Sequence, residues 1–107
     1  MNMNENKLTV DAGACRFLTK ISTVCQDDMT VRFTIESDCP SVRKLADALG
    51  GADAVETVSS RIFDNPIMAK CNEFIPHPAC PVPCALVKAC EVAADLAVKK
   101  NVSFVFG

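Results

Sequence analysis

KLTVDAGACRFLTKISTVCQDDMTVRFTIESDCP, residues 7–40, decides the fold, because it alternates, turns, alternates, turns and alternates again. Leu8 and Val10 fall on one face of residues 7–11, opposite Lys7, Thr9 and Asp11, the pattern of a half-buried strand. Ala12-Gly13-Ala14 supplies a tight reversal, and residues 16–25 continue as a second strand rich in Phe, Ile, Thr and Val. Gln26-Asp27-Asp28 turns the chain again, after which Val31, Phe33 and Ile35 oppose Arg32, Thr34 and Glu36. Three consecutive strands joined by short turns predict an antiparallel meander.

Beyond the meander the period changes. Val42, Leu45, Ala46 and Leu49 recur at helical spacing and stop at Gly50-Gly51. Residues 52–60 give a weaker helical stretch, and Asn65-Pro66 is a cap and first-turn proline that predicts a short helix over 67–74. Ile75-Pro76-His77-Pro78 reads as extended loop, since residues before proline avoid the helical region. A long helix is expected from Pro81 to Val98, with Pro81 and Pro83 in its first turn, and Val102, Phe104 and Phe106 alternate as a closing strand. The expected class is α+β: a three-stranded antiparallel meander, helices packed on one face, a long C-terminal helix and the closing strand. Residues 1–6, polar and Asn-rich, are expected to be disordered, and residues 7–107 to form one domain.

Composition bounds the function. The chain has 107 residues, half of them hydrophobic, enough for one core without disulfide staples. Net charge is −2 and no basic run exceeds Lys99-Lys100, which argues against nucleic-acid backbone binding. No stretch approaches the ~18 apolar residues of a membrane span, and the polar N-terminus reads as neither signal peptide nor anchor. Seven cysteines, an odd number without a secretory signal, point to a reducing cytoplasm and to metal or redox chemistry. Trp and Tyr are absent, which counts against nucleotide stacking and large protein interfaces.

Four cysteines fall on turns or helix starts. Cys39-Pro40 and Cys80-Pro81 each stand where a helix is expected to begin. A first-turn proline is pre-set for helix, so the cysteine before it falls at the N-cap, facing unpaired amides and the positive end of the dipole. Both favour thiolate, the form that binds metal or attacks. Cys84 follows Cys80 by four residues across a proline-stiffened segment, and Cys15 lies in the first hairpin turn. Zinc takes four tetrahedral ligands and iron–sulfur clusters take thiolates, so Cys15, Cys39, Cys80 and Cys84 are the candidate ligands. His77, the single histidine, precedes Cys80 by three residues and is a candidate further ligand, proton donor or base.

The other cysteines read as ordinary. Cys90 shares an apolar stripe with Leu86, Ala93 and Ala97, and Cys71 stands four after Ile67 and three before Phe74, so both are expected core fillers. Cys25 ends a strand and has no chemical assignment. Glu36 and Asp38 bracket Cys39, and Asp38 is a candidate cap for the first helix. No Ser-His-Asp order, Gly-rich phosphate loop or paired carboxylates support a nucleotide-using or hydrolytic enzyme.

Taken in order, a cysteine in a hairpin turn, a cysteine at a helix start and a cysteine opening a long C-terminal helix resemble the U-type iron–sulfur cluster assembly scaffolds and the short TSCPD-motif domains. The carrying stretches are Ala14-Cys15, Ser37-Asp38-Cys39-Pro40 and Ala79-Cys80-Pro81 before Leu86-Val87-Lys88-Ala89. Cys39-Pro40 with His77-Pro78-Ala79-Cys80-Pro81-Val82-Pro83-Cys84 also looks like a family of small uncharacterised proteins from anaerobic microbes. The scaffold resemblance implies cluster ligation by Cys15, Cys39 and either Cys80 or Cys84. Two departures stand out: Phe17 replaces the scaffolds' Asp after the first cysteine, and Ala79 replaces the His or Lys before the third. Those departures point away from transient cluster assembly and toward a stably held metal or cluster, with Cys84 as a fourth thiolate.

Three functions follow. The first is an accessory protein binding zinc or an iron–sulfur cluster, with a protein partner if the cargo is delivered. The second is a thiol-redox or thiol-transfer protein using Cys80 and Cys84 as attacking and resolving thiols. The third is an interaction domain with incidental cysteines, in which Leu18 and Val24, opposite in parity to Phe17 and Ile21, form an apolar second sheet face suited to a homodimer.

Overall fold

The alternating runs pair as their pattern requires. A computed structural model describes residues 5–107 and shows four strands in the order β1-β2-β3-β4: β1 Glu5–Asp11, β2 Leu18–Cys25, β3 Thr30–Ser37 and β4 Gly51–Asp53. All neighbours are antiparallel. Four helices accompany the sheet: α1 Pro40–Ala48, α2 Ala54–Ser59, α3 Pro66–Phe74 and α4 Val82–Ala93. The architecture is α+β, with α4 packed on β1 and β2 and α1 packed on β3 and α3.

Register sorts the side chains. Leu8 stands opposite Ile21, and Ile21 opposite Ile35, which makes one apolar row across three strands on the face the helices cover. Thr19, Ile21, Thr23 and Val31 are buried on that face, while Lys7, Thr9, Lys20, Arg32, Thr34 and Glu36 are exposed on the other. The core closes where Leu45 of α1, Ile67 of α3 and Leu86 of α4 meet Ile21, all at most 1% exposed. Leu18 and Val24 do lie on the open face, but among lysines, threonines and acids, so that face is polar rather than apolar.

Several expectations change. Glu5 and Asn6 belong to β1, not to a disordered tail, because they pair with Val24 and Thr23; residues 1–4 lie outside the described residues. A fourth strand appears where a helix stop and weak helix were expected. Gly51 fits there because an added Cβ would stand 2.7 Å from the Val31 carbonyl oxygen, so only glycine lets β4 approach β3. The last helix ends at Ala93 rather than Val98, and Asp95 turns the chain out with a left-handed φ of 60°. No closing strand forms: residues 98–107 carry no regular structure, because alternation makes a strand only where an edge accepts its hydrogen bonds. Among the described residues no helix is long and apolar enough to cross a membrane.

One buried polar side chain joins two helices. The Asn65 carbonyl oxygen accepts from the Ile67 and Met68 amides at 3.0 and 3.3 Å, capping α3, and its amide donates to the Thr57 carbonyl at 2.7 Å. Replacing it with alanine removes a cap and leaves the Thr57 carbonyl unpaired. Asn65→Ala is expected to lower stability by about 1–3 kcal/mol in urea unfolding, whereas a loss under ~0.5 kcal/mol would mean water replaces the side chain.

Candidate thiolate site

The sheet register decides which turns become neighbours. Asp11 pairs with Leu18 and Thr19 pairs with Ser37, so the first hairpin turn and the end of β3 share one end of the sheet. Cys15 closes a single 3-10 turn, Gly13–Cys15, and is exposed. Asp11 accepts the Gly13 amide at 3.0 Å, the Arg16 amide returns to Gly13 O at 2.9 Å, and Gly13 and Arg16 both take positive φ. This turn projects Cys15 from the sheet end.

Cys39 is held from the adjacent strand. The Thr19 and Ser37 hydroxyls share a 2.7 Å hydrogen bond, the Cys39 amide donates to Ser37 Oγ at 3.1 Å, and the Asp38 amide donates to Leu18 O at 3.3 Å. Arg43 Nε adds a 2.7 Å bond to Ser37 O. Cys39 is the N-cap of α1 with Pro40 in the first turn, as its sequence implied; its side chain makes no capping bond, and Asp38 is not the cap. Proline at the first position removes one amide that would otherwise need a partner.

Cys80 sits one residue earlier than expected. The N-cap of α4 is Pro81, because Cys80 belongs to a turn closed by its own amide donating to His77 O at 3.2 Å. The Val82 amide nevertheless favours charge on the Cys80 sulfur. Burial pushes the Cys80 thiol up, and the charges that Cys39 and Cys15 would carry push it further, against the Val82 amide. The helix start therefore does not make Cys80 a resting thiolate: desolvation outweighs the amide. The same repulsion puts Cys15 and Cys39 within electrostatic reach of Cys80. Cys39 and Cys80 are half-buried against the core, while Cys84, in the first turn of α4, is exposed.

Cys71 was the residue that spacing missed. It is buried on α3, and burial, followed by the nearby Cys80 charge, pushes its thiol from 9.0 to about 12. Its i/i+4 pattern identifies a core position correctly but says nothing of a neighbour on another element. Cys90 is likewise buried and pushed up to about 11, chiefly by desolvation. Cys25, at the opposite end of β2, is raised by burial and by Asp28 and Asp27. His77 is exposed, and its contribution in the structure is the carbonyl that closes the Cys80 turn. Among the described residues no three His, Cys, Asp or Glu side chains are grouped to hold a metal ion, so Cys15 and Cys39 act on Cys80 through charge without the three being a preassembled ligand set. A cavity of about 880 Å³ lies at the other end of the sheet, by Glu5, Asn6 and Leu96, and no cysteine lines it.

Thiol accessibility follows from this arrangement. Alkylation of the native protein at pH 8 is expected to modify Cys15 and Cys84 and to spare Cys71 and Cys90, as read by peptide mass spectrometry; equal labelling of Cys71 and Cys15 would contradict the packing of α3. The raised thiols also link to stability. Folded Cys71 and Cys90 hold protons that the unfolded chain releases from about pH 9, so their contribution is full below that pH and drains toward pH 11–12. Melting temperature is expected to fall more steeply above pH 9 in the native sequence than in a Cys71→Ala, Cys90→Ala variant.

No curated protein and no solved structure matches the chain. It does match one family over residues 6–106, and it belongs to that family of unknown function, DUF6951.

Proposed function

We propose that this protein is an accessory factor that binds zinc or an iron–sulfur cluster through Cys15, Cys39 and Cys80, with Cys84 supplying a fourth thiol from the first turn of α4. The single observation that supports this reading is the repulsion that Cys39, at a helix cap, and Cys15, in a hairpin turn, exert on Cys80 in a third element, a loop. Thiolates are the donor set that zinc and iron–sulfur clusters take, and all seven cysteines are free. The Val82 amide favours charge on the Cys80 sulfur, which suits a ligand, since hydrogen bonding to sulfur tunes bound metal.

The donors fit as chemistry, and their assembly needs side-chain movement at the exposed turn carrying Cys15. Without metal, Cys80 keeps its proton because burial and neighbouring thiols disfavour charge. A bound cation reverses that balance by neutralising the clustered charge, so binding must release protons. Affinity therefore rises with pH through the range in which Cys80 still holds its proton. The free thiols suit a reducing cytoplasm, and a partner that receives the cargo would approach this same open end.

Anaerobic purification without added metal, followed by a visible spectrum and elemental analysis, tests the reading. The expected result is bound zinc, or iron with sulfide, that falls at least severalfold in Cys39→Ser and Cys80→Ser and is retained in Cys25→Ser. Chelation should also lower the melting temperature, because structural zinc sites are worth ~10–16 kcal/mol of apparent binding free energy. Folded protein without metal, unable to take it up on reconstitution, would overturn the proposal.

A further inference from the structure

Residues 102–106 alternate like a strand but pair with nothing, and β1 has one edge without a partner strand among the described residues. Residues 101–107 carry Val102, Phe104 and Phe106 in strict alternation, yet no residue after Ala93 joins a helix or strand. Phe104 is 85% and Phe106 99% exposed, a large apolar surface left in water. At the other end of the chain, β1 is an outer strand of the sheet and is seven residues long. The opposite edge, β4, has only three residues. Open edges of β1's length are templates for strand addition.

We infer that residues 101–107 of one copy add as a fifth strand to the β1 edge of a second copy, and reciprocally, forming a strand-exchanged homodimer. The occupant is a second copy because this chain carries both complementary halves while its own segment forms no ladder with its own β1. Reciprocal exchange closes the assembly with twofold symmetry. The alternating run Val102 to Phe106 is short enough to lie along the seven residues of β1. Charge favours one direction: Lys99-Lys100 precedes the segment, and antiparallel addition brings these lysines to Asp11 at the end of β1, whereas Glu5 at the other end already pairs with Lys7 at 3.8 Å. Added on the helix side, the apolar trio extends the row that Leu8 begins and lies beside α4, which packs on β1. Asp95, in the left-handed region directly after α4, is the hinge from which the segment leaves.

Light scattering of the full chain across concentrations, with hydrogen exchange of residues 5–11 and 101–107, tests the exchange. The expected result is a dimer in which residues 101–107 and the β1 amides directed away from β2 are protected, and in Phe104→Asp, Phe106→Asp a monomer that has lost both protections while the β1 amides bonded to β2 keep theirs. Because both phenylalanines are exposed, the variant should keep its circular dichroism and its metal content. A chain truncated after Lys100 gives the same reading without added charge. A monomeric native chain overturns the inference, including one whose segment is protected on its own edge. So does a dimer that survives both changes. Metal binding is read separately, so either proposal can fail alone.

Discussion

The pairing of Thr19 with Ser37 is the constraint on which the rest of the site depends. It sets β2 and β3 in register, and the hydroxyl bond between the two residues reinforces it. Ser37 then accepts the Cys39 amide, and the Asp38 amide reaches back to Leu18, so the entry into α1 is tied to the start of β2. The first hairpin turn is attached to that same strand start through Asp11 and Leu18. A slip of one residue would turn Ile21 and Thr19 to the open face and dismantle core and cysteine end together.

Two opposing effects act on the thiols, and their relative size decides the chemistry. Helix starts favour thiolate through amides and the dipole, an influence typically of 0.3–1 kcal/mol at exposed sites. Desolvation acts the other way and reaches several pKa units for fully buried groups. Cys80 shows the result: the Val82 amide favours its thiolate, and it is still raised, chiefly because the side chain is half-buried and further because of repulsion from Cys39 and Cys15. Such a site resists charging until a cation arrives, which suits binding better than attack. Cys84, in the helix's first turn, is exposed.

How much could be read in advance differs by element. The three long strands were legible because one face is buried and the other wet, so alternation survives in the residues. The helix over residues 40–48 was legible from its apolar spacing and its proline start. The fourth strand was not, because three residues cannot display a period and Gly50-Gly51 reads equally as a helix stop. The closing strand was misread for the opposite reason. Residues 102–106 alternate well, but alternation describes a side-chain pattern and cannot say whether an edge is in reach.

The cysteines divide along the same line. Sequence by itself determined that Cys39 caps a helix, that Cys15 sits in a turn, and that Cys71 and Cys90 are core positions, because each depends on neighbours within four residues. Only the tertiary structure decided that Cys15 and Cys39 lie in reach of Cys80, that Cys71 is also beside Cys80, and that Cys80 is raised rather than lowered. Those outcomes rest on burial and on distances between elements far apart in the chain. Local spacing carries helix and strand periods, whereas desolvation and charge repulsion are set by whatever the fold packs around a group.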